Sequence, residues 1–136
     1  MAVRRLDVLL SNMELDTCER LGVSPGELLA LAHLSLHGPL GPTDLTHRLH
    51  MTTGAMTAML DRLAKGDFIV REPHPTDRRR VGVRLTAAGR DRVFSEVHEM
   101  ANDVVAMNEE FSAAERRVIG RYLDRLSQVV AAPAAG

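Results

Sequence analysis

The chain has 136 residues, 45% of them apolar, 26% charged and only 3% aromatic with no Trp, which is enough for about one domain with a core built from Leu, Val, Ala and Met. No apolar run approaches the ~18 residues that a membrane helix needs, MAVRRLDVLL lacks the long apolar segment and cleavage site of a signal peptide, and the one cysteine allows no internal disulfide and fits a reducing cytoplasm. The net charge of −1 divides into +4 over residues 42–90, with nine Lys/Arg against five Asp/Glu, and −5 elsewhere, so one basic surface is expected to face an anion.

Leu6, Leu9, Leu10, Met13, Thr17 and Leu21 recur at helical spacing and predict an amphipathic helix over 4–21, ended by Gly22. Ser24-Pro25-Gly26-Glu27 reads as a capping box with Pro at the first helical position. The helix after it, LLALAHLSL, is apolar nearly all round and is expected to be the buried one. Gly38-Pro39-Leu40-Gly41-Pro42 breaks the pattern. Thr43-Asp44 then opens a short helix to about Leu49, with Leu45 and Leu49 inward. His50-Met51 is a tight turn, and Thr52 caps a further helix to about Lys65, buried through Met56, Met59, Leu60 and Leu63. Gly66 ends it.

The period then changes from helical to alternating. Phe68–Glu72 and Arg80–Leu85 predict a β-hairpin around a tip of about six residues, with Val81, Val83 and Leu85 on one face. Thr86 caps a long helix carrying Val93, Val97, Met100 and Val104 in one stripe, with Phe94, Ala101 and Val105 beside it. Ser112-Ala113-Ala114-Glu115 is a second capping box, opening a last amphipathic helix through Val118, Ile119, Tyr122, Leu123, Leu126 and Val130. Two helices joined by a short turn and followed at once by a basic hairpin make a winged helix-turn-helix, a mainly α (α+β) fold. The expected organisation is one domain over 1–136. It has a DNA-binding lobe at 24–90, helices for pairing with a second copy at 4–21 and 87–130, and a flexible tail at 131–136.

In such a fold the Thr52–Lys65 helix enters the major groove of double-stranded DNA. Its apolar seam leaves Thr53, Gly54, Thr57, Ala58, Asp61 and Arg62 outward. Thr52 and Thr53 stand at the leading turn for phosphate or base-edge hydrogen bonds, and Thr57 and Ala58 offer methyl contact to thymine. Thr43, on the preceding helix, and Arg71, on the first strand, complete the helix-side candidates. No Asn, Gln or Arg occupies the first two turns, so base readout is sparse and shape readout carries more of the specificity. At the hairpin tip Pro73 and Pro75 stiffen the chain around Asp77-Arg78-Arg79-Arg80. Alternation prevents the three arginines from pointing one way. At least one then projects toward a narrow minor groove, while Asp77 is expected to hold Arg79 in one rotamer.

The segment LDRLAKGDFIVREPHPTDRRRVGVRLTAAGR runs helix end, glycine, strand, Asp-Arg-Arg tip, strand, Leu-Thr, then a helix with an early glycine. Over residues 24–110 the chain resembles the multiple-antibiotic-resistance-regulator (MarR) family of winged-helix repressors. The resemblance implies a homodimer on a pseudo-palindromic operator, with Arg79 in the minor groove and Asp77 orienting it. It also implies dimerisation by the first and last two helices, and relief of repression by a small ligand or by oxidation. Two positions depart from the family pattern: His50 stands where glycine is common, and Gly54-Ala55 leaves the start of the recognition helix bare.

No cofactor is expected, and three kinds of signal remain open. Cys18 is a redox candidate, but Glu14, Asp16 and Glu19 nearby disfavour a thiolate, so a buried structural thiol is the better reading. His33 and His37 have the i, i+4 spacing of a zinc pair and His98 could join them, yet no second ligand pair accompanies them. The third signal is an aromatic or phenolic effector in a pocket lined by Cys18, His33 and His37. An enzyme is excluded by the lack of a glycine-rich phosphate loop, a G-x-S-x-G or a complete metal motif. A winged helix that binds only protein has no use for the arginine tip, and an RNA binder lacks stacking aromatics.

Overall fold

The computed structural model describes residues 1–132. The element order is α1 (Ala2–Leu21), α2 (Pro25–His37), α3 (Pro42–Leu49), α4 (Thr53–Lys65), β1 (Ile69–Pro73), β2 (Val81–Leu85), α5 (Ala87–Asn108) and α6 (Ala113–Ala131). This is the expected mainly helical winged helix-turn-helix. The chain divides into two compact units, Met1–Glu96 and the part from Val97 onward.

Local chemistry sets most boundaries in the first unit. Gly22 closes α1 in the left-handed conformation, φ 69°, where glycine has no Cβ penalty. Ser24 and Glu27 form the reciprocal capping box of α2, with Pro25 in its first turn. Helix α3 begins at Pro42 behind Gly41, one residue before Thr43, and His50 ends it at φ 52°. Thr52 caps α4 by accepting from the Ala55 N–H. At the far end of α4 the left-handed residue is Asp67, φ 58°, whereas Gly66 keeps a φ of −79°. Short polar side chains visit this region at lower cost than most.

The core gathers Ala30, Leu31 and Leu34 of α2, Leu45 of α3, Met56, Met59, Leu60 and Leu63 of α4, and Phe68, Ile69, Val83 and Leu85 of the hairpin. Each fully buried side chain of this size contributes about 2 kcal/mol over an exposed one. Three details differ from expectation. Helix α2 is buried on one face only, since Leu29 and Leu36 are exposed. Strands β1 and β2 pair antiparallel with Ile69 opposite Leu85 and Pro73 opposite Val81, so Val81 lies out at the tip, beyond the core, and is exposed. Leu40, read as part of a break, exchanges both backbone hydrogen bonds with Val83, at 3.0 and 2.8 Å. A third short edge therefore covers the hairpin, with Leu40 buried beneath it.

In the second unit α6 starts on a Ser112–Glu115 capping box. Val104, Val105, Val118, Ile119, Tyr122 and Leu123 are all exposed, so among the described residues these apolar faces are left uncovered. Helix α6 runs on to Ala131, with Ala132 as its cap. Of the flexible tail expected at 131–136, Ala131 is thus helical, and residues 133–136 lie outside those described.

Gly89 in the first turn of α5 sits against the backbone of Phe68, and a Cβ there would lie 2.1 Å from the Phe68 carbonyl oxygen. No side-chain motion relieves a clash with backbone. Gly89→Ala is expected to destabilise the fold by about 3 kcal/mol, at the upper end for an overpacked site, and thermal melting against the parent chain measures it. An unchanged Tm would mean that α5 is not seated on Phe68.

Candidate nucleic-acid interface

The buried seam of α4 fixes its opposite face. Met56, Met59, Leu60 and Leu63 point inward, and Thr53, Gly54, Thr57, Ala58, Asp61 and Arg62 are all exposed, as their spacing predicts. The face is smooth: a Cβ on Gly54 would meet nothing within 4 Å, and the Thr57 hydroxyl turns back to donate to the Thr53 carbonyl at 3.0 Å. Thr43 is exposed on the first turn of α3.

The arginines fall into two groups. On the body of the lobe Arg62, Arg71 and Arg84 each have an acid. Arg62 Nε donates to Glu27 Oε1 at 2.8 Å, Arg71 to Asp61 at 2.8 Å and Arg84 to Glu72 at 2.6 Å. Arg62 and Arg71 are thus partly neutralised rather than free cations. At the tip no acid among the described residues pairs with Arg78, Arg79 or Arg80. All three are exposed.

Asp77 acts differently from the expectation that it would hold the Arg79 side chain. Its Oδ1 accepts from the Arg79 backbone N–H at 3.0 Å, a turn built by a short acidic side chain on its own backbone. The chain reverses within the same few residues. Arg80 N–H donates to the Asp77 carbonyl at 3.0 Å, His74 N–H to the Arg80 carbonyl at 2.8 Å, and Thr76 N–H to His74 Nδ1 at 3.3 Å. Asp77 therefore fixes the loop that presents the guanidinium groups, leaving Arg79's own free.

A cavity of about 430 Å³ lies between α1 and α2, walled by Leu15, Leu28, Leu29 and Ala32, with Cys18 and Glu14 its ionisable members. His33 and His37 do not line it, so the expected trio with Cys18 does not assemble. Their rings stack instead at 5.7 Å, and the Arg48 guanidinium lies 3.3 Å from His37 Nε2. Partial burial, then Arg48 and His37, hold the His33 pKa below the ordinary value. No cluster of three or more His, Cys, Asp or Glu among the described residues could hold a metal.

The MarR family model matches residues 23–81. Among relatives, a transcriptional repressor of Bacillus subtilis, MdtR, is 32% identical over 114 residues, covering 84% of this chain and 64% of its own length. The Bacillus subtilis repressor YetL is 30% identical over 112 residues, covering 78% of this chain and 67% of its own. The chain belongs to the MarR family. Its fold agrees with that of RV1404 from Mycobacterium tuberculosis, with TM-score 0.70 and 28% identity over 99% of this chain and 93% of that one. It also agrees with that of a MarR family protein from Bacillus stearothermophilus, with TM-score 0.73 and 21% identity over 96% and 91% of the two chains.

The family model's match begins at residue 23 and does not include Cys18 or α1. Two residues of the site escaped sequence reading. Glu27 was visible only as a helix cap, although its second oxygen holds Arg62. Asp61 was visible as an outward acid, but pairing across the α4–β1 turn has no signal in spacing.

Burial raises the Cys18 pKa above the ordinary thiol value, and Glu14 and then Glu27 raise it further. At neutral pH the thiol is therefore protonated and a poor nucleophile. Alkylation of native protein by iodoacetamide should be slower than that of a free thiol and should keep accelerating as pH climbs past 9. A rate that levels off below pH 8 would reveal a stabilised thiolate and reverse this assignment.

Proposed function

We propose that this MarR-family chain is a homodimeric repressor that binds a pseudo-palindromic operator in double-stranded DNA, in the cytoplasm. The observation that carries the reading is the contrast between Arg78, Arg79 and Arg80, which have no acid among the described residues on their hydrogen-bonded tip, and Arg62, Arg71 and Arg84, each held by an acid on the body of the lobe. Phosphate-rich ligands reward uncompensated cations, and a narrow minor groove concentrates the negative potential that draws arginine in. The lobe at 24–90 would place Thr52, Thr53, Gly54, Thr57 and Ala58 in the major groove and Arg79 in the adjoining minor groove. Thr43 would stand at the phosphate backbone. Arg62 and Arg71 are assigned to holding α4 and β1 in place before any contact with DNA.

The exposed apolar side chains of α1 and α6, among them Leu6, Leu9, Leu10, Ile119 and Leu123, support pairing with a second copy. Isolated apolar residues on a surface are ordinary, but rows of them along two helices are not. An effector that relieves repression would take the α1–α2 cavity, whose volume suits a small molecule. Its apolar walls and the Glu14 carboxylate favour a neutral or cationic ligand over an anionic one, so an aromatic or phenolic effector would enter uncharged. The raised thiol pKa disfavours peroxide sensing at Cys18, and the lack of a third ligand grouped with His33 and His37 among the described residues disfavours metal sensing.

Fluorescence-anisotropy titration against a library of palindromic duplexes over a salt series tests the reading. Selective binding should appear, with log K falling linearly against log salt. Arg79→Ala should weaken binding by about 1–3 kcal/mol and reduce the salt slope by about 1 if it also loses a phosphate contact. Asp77→Ala should weaken binding too, although it removes a negative charge, because the loop loses its internal hydrogen bond. Tighter binding by Asp77→Ala would contradict the presenting role. Weak binding blind to both sequence and salt would point to a protein-interaction module instead.

A further inference from the structure

The C-terminal end of α4 carries an arrangement that contact with DNA does not account for. Three consecutive carbonyls there accept from the start of α5. Arg92 Nη1 donates to Gly66 at 2.8 Å, Thr86 Oγ1 to Asp67 at 2.7 Å and the Thr86 N–H to Phe68 at 3.0 Å. The Thr86 hydroxyl also accepts from the Gly89 N–H at 2.9 Å, so it caps α5 while gripping the end of α4. Arg92 lies over the Phe68 ring, 3.7 Å from its centroid. Gly89 allows the two backbones to touch, as shown above.

We propose that Thr86, Gly89 and Arg92 form a clasp that fixes the angle between the recognition helix and α5, and thereby sets the half-site spacing that the dimer accepts. The inference rests on the dimeric DNA-binding reading. Helix α4 can turn on α5 only by breaking donors to all three carbonyls or by driving α5 into Phe68. Gly89 and Thr86 are woven into the backbone junction, but Arg92 is exposed and grips from outside. Its removal leaves the core whole and frees one of the three carbonyls together with the ring contact. Arg92 is thus a positioning residue: its guanidinium is committed to Gly66 and Phe68 and acts on DNA through α4.

The test uses the full chain with Arg92→Ala, Arg92→Gln and Arg92→Lys, and the best duplex selected by the parent chain. Its centre is shortened or lengthened one base pair at a time. Each step rotates the half-sites by roughly 35° and shifts them by about 3.4 Å. The parent is expected to lose roughly tenfold in affinity per step away from the optimum, the size of a mismatched base pair. Arg92→Ala should lose less than about threefold per step, with Arg92→Lys between them. If Arg92 were only a phosphate contact or only a stabiliser, every duplex would weaken by the same factor and the spacing profile would keep its shape. A parallel profile in the variants, or a parent profile flat in spacing, overturns the clasp while leaving DNA binding intact. A parent that selects no duplex overturns the DNA-binding reading and the clasp with it. Should Arg92→Ala fail to fold, Arg92→Gln, which keeps a donor but loses the cation over the ring, carries the same comparison.

Discussion

The last carbonyls of a helix have no partner within it and must find donors beyond its end. In this chain the problem falls at the end of α4, where three residues separate the recognition helix from β1. Asp67 turns the chain by taking a left-handed conformation, the Gly66, Phe68 and Asp67 N–H groups donate back to Arg62, Leu63 and Ala64, and the start of α5 donates to the carbonyls of the three linking residues. The hairpin closes on the same spot: Ile69 pairs with Leu85, so the residues on either side are Phe68 and Thr86, which are themselves joined. The recognition helix, the base of the wing and the start of α5 therefore share one junction, and each is positioned by the other two.

The placing of acids explains how a chain with a net charge of −1 can still present a cationic surface. The acids on the lobe have assigned places. Glu27, nearly buried, divides its carboxylate between the Ser24 N–H at 2.9 Å and Arg62 at 2.8 Å. A buried carboxylate without such partners would be costly. Asp61 and Glu72 hold Arg71 and Arg84 on the strands. Pairs as exposed as these contribute at most about 1 kcal/mol each, so their main effect is on position: they direct side chains along the hairpin. None of these acids forms an ion pair with Arg78, Arg79 or Arg80 at the tip. Charge of one sign is thereby concentrated at the end of a stiff projection.

The sequence conveyed the periodic elements well and the exceptions poorly, for identifiable reasons. The buried seam of α4 and its outward face follow from 3.6-residue periodicity alone, and both capping boxes follow from residue type at fixed spacing. Helix α2 misled because an apolar residue adjoining the core and one left open at the surface look alike in a single chain; Leu29 and Leu36 are of the second kind. Val81 misled because alternation tells which way a side chain points but not whether any core extends beneath it. Leu40 was hidden by its setting between prolines and glycines, which read as a loop even where one residue bonds to Val83. The outward positions of α4 were readable as a pattern. What Asp77 bonds was not, because a short acid two residues before an arginine can reach either the guanidinium or the backbone N–H, and the turn geometry decides for the backbone.

The two outward surfaces of the lobe differ in what they ask of DNA under the proposed function. The face of α4 offers Thr53, Gly54, Thr57 and Ala58, all small, with one threonine hydroxyl already donating to its own helix. Small residues let a helix backbone approach the groove closely, yet they make few base-specific hydrogen bonds. The wing offers three long cations on a loop closed by its own hydrogen bonds, which lowers the conformational entropy lost when one of them inserts. A close-fitting smooth helix registers groove shape, and a fixed arginine registers groove width. Both respond to geometry more than to base edges, so discrimination depends on how accurately the two surfaces are held relative to each other. The α4–β1–α5 junction supplies that accuracy, which makes the residues behind the recognition helix as consequential for specificity as those in front of it.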